Sequence, residues 1–138
     1  MKIFALSYTG YKLDYRINLG DNIQSIAAAR LLPKIDGYVS REALNKISTP
    51  CIVSLNGYFM ASENWPPSEN VIPIPFAFHI SPSYEKIICS ESGLNFLKMH
   101  EPIGCRDQGS TSILKNYGIQ AYYSKCITLT LDKRVTTP

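Results

Sequence analysis

Cys51-Ile52-Val53-Ser54-Leu55 is a nearly continuous apolar run. A strand with one wet face alternates apolar and polar residues. A strand covered on both faces does not, and that is the habit of parallel sheets. The run is expected to stop at Asn56-Gly57, since both are ordinary turn residues. Upstream, residues 2–8 read as a first strand, followed by a polar, aromatic loop over 9–20. A helix is expected over 21–32, with Asp21 as N-cap and its carboxylate suited to the positive helix end. Ile23, Ile26, Ala27 and Leu31 recur at helical spacing and are expected to pack on the sheet. Pro33 ends the element, because the residue before a proline avoids the helical region. A short strand over 36–39 and a short helix to Ile47 lead into the central run.

Downstream, residues 61–73 read as a loop carrying Trp65-Pro66-Pro67. A strand follows over 74–80. Pro73 and Pro75 place its start at a sheet edge or an irregularity. Ser90 opens a helix over 91–99, ended by Pro102, although Gly93 counts against it. Ile103-Gly104-Cys105 is a very short strand. Asp107 or Ser110 caps a helix to Tyr117, and Gly118 sits where a left-handed C′ residue belongs. Residues 121–131 read as the last strand. Strands alternating with helices give an α/β domain with a mostly parallel sheet and flanking helices. One Rossmann-like domain over 1–131 is expected, with a polar tail or linker over 132–138.

The chain has 138 residues, 45% hydrophobic and 18% charged, with a net charge of +3. That is one domain with enough apolar surface for a core. Runs of like charge that grip a phosphate backbone are absent, which disfavours nucleic-acid binding. No apolar run approaches the roughly 20 residues of a bilayer span. Residues 1–7 turn polar too soon for a signal peptide. Cys51, Cys89, Cys105 and Cys126 are widely spaced, as are His79 and His100. Neither set has metal-ligand or disulfide-scaffold spacing. The expectation is a cytoplasmic protein with reduced thiols and no metal site.

Ligands of open α/β sheets bind beyond the carboxyl ends of the strands. Asn18, Gly20 and Asp21 follow the first strand, at a helix start whose free N–H groups can hold an anion or hydroxyl, or can simply be capped. Asn56 and Gly57 follow the third, as a tight turn or an acceptor-contacting loop. His79 ends the fourth, as a general base or sugar-hydroxyl partner, or as a half-buried histidine bonded to backbone. Arg106 and Asp107 follow the fifth. There the guanidinium forks onto a carboxylate or phosphate, or the two residues pair to fix the turn. Trp65 is either a sugar platform or a loop anchor. His100 is expected to be a partner for the helix C-terminus.

These residues carry a resemblance. Asn18-Leu19-Gly20-Asp21-Asn22-Ile23-Gln24-Ser25-Ile26-Ala27-Ala28 resembles the N-terminal motif of polysaccharide pyruvyl transferase family proteins. Leu55-Asn56-Gly57-Tyr58-Phe59-Met60 with Trp65-Pro66-Pro67 is similar to the next block, and Phe76-Ala77-Phe78-His79-Ile80 to another. Glu101-Pro102-Ile103-Gly104-Cys105-Arg106-Asp107 and Tyr123-Ser124-Lys125-Cys126-Ile127-Thr128-Leu129-Thr130-Leu131 complete the order. The resemblance implies transfer of a pyruvyl group from phosphoenolpyruvate to hydroxyls of a sugar or lipid-linked saccharide, forming a ketal in surface polysaccharide biosynthesis. Phosphoenolpyruvate is the donor substrate and no cofactor is implied. The implied architecture is like that of two-domain GT-B glycosyltransferases, of which this chain resembles the N-terminal half. Arg106 matches a donor-site arginine. The arginine–histidine motif of the C-terminal half has no counterpart here, so a second domain or a homo-oligomer enters as the expected partner. His79 and Asp21 are the candidates for proton transfer; Asn18, Gly20, Asn56, Gly57, Arg106 and Asp107 are the candidates for substrate binding. The alternative is a non-catalytic carbohydrate- or nucleotide-binding module, or one that docks to a partner.

Overall fold

The computed structural model describes residues 1–8, 18–58 and 64–132. Among them six strands lie in one sheet, all parallel, in the order β2-β1-β3-β4-β5-β6. They are β1 Lys2–Ser7, β2 Gly37–Ser40, β3 Cys51–Tyr58, β4 Val71–His79, β5 Ile103–Cys105 and β6 Ala121–Tyr123. The α-helices among the described residues are α1 Leu19–Leu31, α2 Glu85–Ile88, α3 Glu91–Met99 and α4 Gln108–Asn116. Turns of 3-10 helix cover Arg41–Lys46, Pro82–Tyr84 and Ile127–Thr130. This is the expected α/β fold with a parallel sheet and flanking helices. Strand order reverses between β1 and β3, which is where such sheets open a crevice.

The core has two parts. The larger gathers Leu6, Val53, Leu55, Phe78, Leu97 and Leu114 among others. Trp65 belongs to it, with ring centroids 5.9 Å from Phe78 and 5.6 Å from Phe96. Its indole N–H donates to the Ile88 carbonyl at 3.1 Å, so Trp65 is the loop anchor and not a platform. Gly93 sits in α3 because a Cβ there would lie 2.2 Å from that same carbonyl and 2.6 Å from the indole nitrogen. The smaller part, Ala27, Ala28, Ala77 and Ile127, joins α1 and the Ile127–Thr130 turn to the other face of the sheet.

Several expectations are corrected. Asn18, not Asp21, caps α1: its side-chain oxygen accepts from the Gly20 N–H at 3.0 Å, and the helix starts two residues early. Ile23, Ile26 and Leu31 are exposed, while Asp21, Gln24, Ser25, Ala27 and Ala28 face inward. Small and polar side chains are what a helix needs to lie close on the polar end of β3. Asn56 and Gly57 make no turn. They continue β3, held in register by Gly57↔Phe78 and Tyr58↔His79. β4 starts at Val71, and its prolines lie inside the sheet, paired with β3 at Pro73↔Val53 and Pro75↔Leu55. Each proline withholds a ladder donor, and β4 meets β5 in register only at Phe78↔Cys105. The irregularity lies past the prolines and not at the strand's start: the register shifts between Leu55 and Gly57, and Ala77 has φ +51. β6 ends at Tyr123. The Ser124 hydroxyl takes the Ala77 N–H and donates to the Cys105 carbonyl, and Lys125 turns the chain at φ +66. The loop over 9–17, the start of the 61–73 loop, Phe59 and Met60 of the second resembling block, and the tail over 133–138 lie outside the described residues.

Candidate functional site

The carboxyl ends of β4 and β5 bring His79 and Asp107 together. His79 Nδ1 lies 2.6 Å from Asp107 Oδ2. Asp107 is also the N-cap of α4, where its Oδ1 accepts from the Ser110 N–H at 2.8 Å. The Ser110 hydroxyl donates to Asp107 Oδ2 at 3.0 Å and accepts from the Ile80 N–H at 2.9 Å. An ionised carboxylate only accepts, so Nδ1 carries the hydrogen and Nε2 carries the lone pair of the neutral ring. Burial pushes the Asp107 carboxyl up. The Ser110 N–H, His79 and the Ser110 hydroxyl outweigh it and hold the group below the ordinary carboxylate range.

Arg106 stands next to this pair. Its backbone N–H is fixed to the Phe78 carbonyl at 2.9 Å. Its Nε is 4.0 Å from Asp107 Oδ2, at the limit of an ion pair, so Asp107 is committed to His79 and the helix start before Arg106. The side chain is a quarter exposed, and its charge reaches Asp21 and Tyr8 across the sheet end.

On the other side of the rim, Arg41 follows β2. Its side chain is 6% exposed and bonds Glu42 at 2.6 Å, with Asp21 at 3.5 Å. Its guanidinium also lies over the Tyr8 ring, 4.8 Å from the centroid. Burial raises the Asp21 carboxyl, and Arg41 and Arg106 pull it back only in part. Burial also lifts the Tyr8 phenol to about 12. Asp21 is thus a buried partner of Arg41, while Asn18 and Gly20 stay exposed at the helix start.

Near the end of β3, Asn56 is wholly buried, and Gly57 adopts φ +77. A Cβ on Gly57 would meet Gln24 Oε1 at 2.7 Å, so Gln24 reaches to the strand backbone. His100 takes no part in the rim. It packs on Phe96 at 4.8 Å between ring centroids, and burial lowers its pKa, which disfavours the cationic dipole partner expected of it.

The rim therefore gathers Asn18, Gly20, Asp21, Asn56, Gly57, His79, Arg106 and Asp107 at one edge of the sheet. Arg41, Ser110, Gln24 and Tyr8 join them unpredicted. Arg41 obeys the same rule as Arg106, the first residue past a strand. Ser110 was legible as the N3 position after an Asp cap. A cleft of about 580 Å3 opens at the opposite, amino edge, between Lys2, Phe4, Val39, Lys46, Ile47 and Cys51. It holds none of the titratable groups just described, so the chemistry points to the carboxyl rim. Among the described residues no group of three or more His, Cys, Asp or Glu is placed to hold a metal, and no helix is long and apolar enough to cross a membrane. Comparison with protein-family models, with curated proteins and with solved structures found no match.

Proposed function

We propose that this chain is the N-terminal half of a polysaccharide pyruvyl transferase-like enzyme, contributing the donor-holding arginine and an oriented base to a divided site. The observation that carries the reading is Arg106 beside the His79–Asp107–Ser110 cluster on the carboxyl rim. Phosphoenolpyruvate carries a phosphate and a carboxylate, and a partly exposed guanidinium suits either. In the transfer, two sugar hydroxyl oxygens bond to the central enol carbon and the bond to the phosphate oxygen breaks. One hydroxyl proton ends on the methylene carbon, which becomes methyl, and the other leaves with phosphate. His79, its tautomer set by Asp107, supplies Nε2 to take a hydroxyl proton. The arginine–histidine element of the C-terminal half lies outside this chain's sequence and must come from a second domain or partner. Calorimetric titration with phosphoenolpyruvate tests the donor role. Binding weakened at least tenfold in Arg106→Ala is expected; equal affinity in the variant overturns it.

A second reading is a docking module, and one observation favours it. Leu19, Ile23 and Ile26 form an exposed aliphatic stripe on α1, opposite its buried face, with Arg30 on the same line. A stripe at i, i+4 and i+7 is the recognition pattern of helix-mediated contacts. Ile26→Glu leaves the isolated fold intact and disrupts association under this reading. Sedimentation with and without the substitution checks it: association that persists in the variant removes α1 as the docking face.

A further inference from the structure

We propose that Asn56 and Gln24 select the acceptor by binding a vicinal pair of its hydroxyl groups, an inference that rests on the transferase reading above. Asn56 is 0% exposed, and neither its Oδ1 nor its Nδ2 has a hydrogen-bond partner among the described residues. Gln24 is 6% exposed, and its Oε1 is likewise unpartnered, as is the hydroxyl of fully buried Ser54. Buried polar groups are nearly always paired, and those left unpaired cost stability. The fold gains nothing from these amides that an apolar side chain of the same shape would not supply. Their place explains them: Gln24 lies on α1 against Gly57, and Ser54 and Asn56 lie toward the carboxyl end of β3, where strand order reverses and open α/β sheets take ligands. Gly57 brings the strand backbone against the Gln24 amide with no side chain between, and Asn56 is the residue before it in β3.

The chemistry of the set selects the ligand. Amides and a hydroxyl carry no charge; Arg41 is committed to Glu42 and Asp21, Asp107 to His79, and the donor reading takes Arg106. A neutral ligand fits. One carboxamide presents an acceptor beside a donor. Two adjacent hydroxyls present a donor beside an acceptor, one giving its hydrogen to Oδ1 and the other accepting from Nδ2. Asn56 is closed from solvent, so a ligand reaches it only when side chains packed over it move.

Stability and binding move in opposite directions under this assignment. Asn56→Leu, of similar shape, and Gln24→Met are each expected to raise the unfolding midpoint by a few degrees. In the unaltered chain, methyl glycosides of glucose, galactose and mannose are titrated while the side-chain amide resonances of Asn56 and Gln24 are followed by NMR. At least one glycoside is expected to shift both, and to bind at least tenfold more weakly to either variant. A midpoint lowered by several degrees in both variants overturns the proposal, because the amides then hold the fold. So does the absence of a shift from all three glycosides. Phosphoenolpyruvate binding at Arg106 is read separately: its failure with the glycoside response intact refutes the transferase reading and leaves a polyol subsite.

Discussion

His79 Nδ1 lies 2.6 Å from the Asp107 carboxylate that also caps α4, so one residue both starts a helix and sets a histidine's tautomer. The two duties use different oxygens. Asp107→Asn is expected to keep the cap, because asparagine caps as well as aspartate, and to lose the charge-assisted bond to His79. Asp107 sits below the ordinary carboxylate range in the fold. Its contribution to stability is therefore full above that range and is lost as pH falls through it and below. Thermal unfolding of both proteins as a function of pH should show a gap at neutral pH that closes in acid. A gap that widens in acid contradicts the assignment.

Arg41 and Asp21 form the opposite case. Arg41→Ala leaves Asp21 and Glu42 without their cation in a buried setting, and a loss of about 3–5 kcal/mol is expected. Asp21 is raised by burial, so its ionised form costs the fold stability, and the cost appears as pH rises through the raised value. Asp21→Asn should therefore be far milder than Arg41→Ala, and mildest at neutral pH. Urea unfolding of the two variants at pH 4 and pH 7 checks both the order and the sign.

Gly93 is placed by Trp65. A Cβ there would press on the Ile88 carbonyl and the indole nitrogen that bonds it. Gly93→Ala normally improves a helix, yet here it should cost about 1–3 kcal/mol through overpacking. Combining it with Trp65→Phe should recover part of that loss. A stabilising Gly93→Ala would show that the indole yields freely.

The thiols differ in reach. Cys51, Cys89 and Cys105 are buried, and burial raises all three, Cys89 and Cys105 to about 11. Only Cys126 is partly exposed. Iodoacetamide at pH 8 should add one label per native chain, at Cys126, and four after unfolding. Native labelling of Cys105 would mean that β5 opens readily.

How far the sequence could be read depended on which force decided each element. The apolar run before Asn56 revealed the buried parallel strand, and the positions at and just past strand ends revealed His79, Arg106 and Asp107. The existence of α1 was legible, its orientation was not. Ile23 and Ile26 suggested an inward face, but the polar end of β3 takes Gln24 and Ser25 instead. Asn56-Gly57 carried turn chemistry that pairing with β4 overrode. β6 was cut short by one serine hydroxyl bonding two other strands, a contact that no local pattern announces. Arg41 was missed as a rim residue because its partners, Asp21 and Tyr8, come from distant positions in the chain.

The most direct test is a backbone NMR titration of the intact chain with phosphoenolpyruvate. Saturable shifts centred on Arg106, Asp107, Ser110 and the first turn of α4 are expected, and are expected to vanish in Arg106→Ala. Shifts centred on the amino-edge cleft around Lys2 and Lys46, or no shifts at all, would contradict the assignment of the carboxyl rim as the donor site.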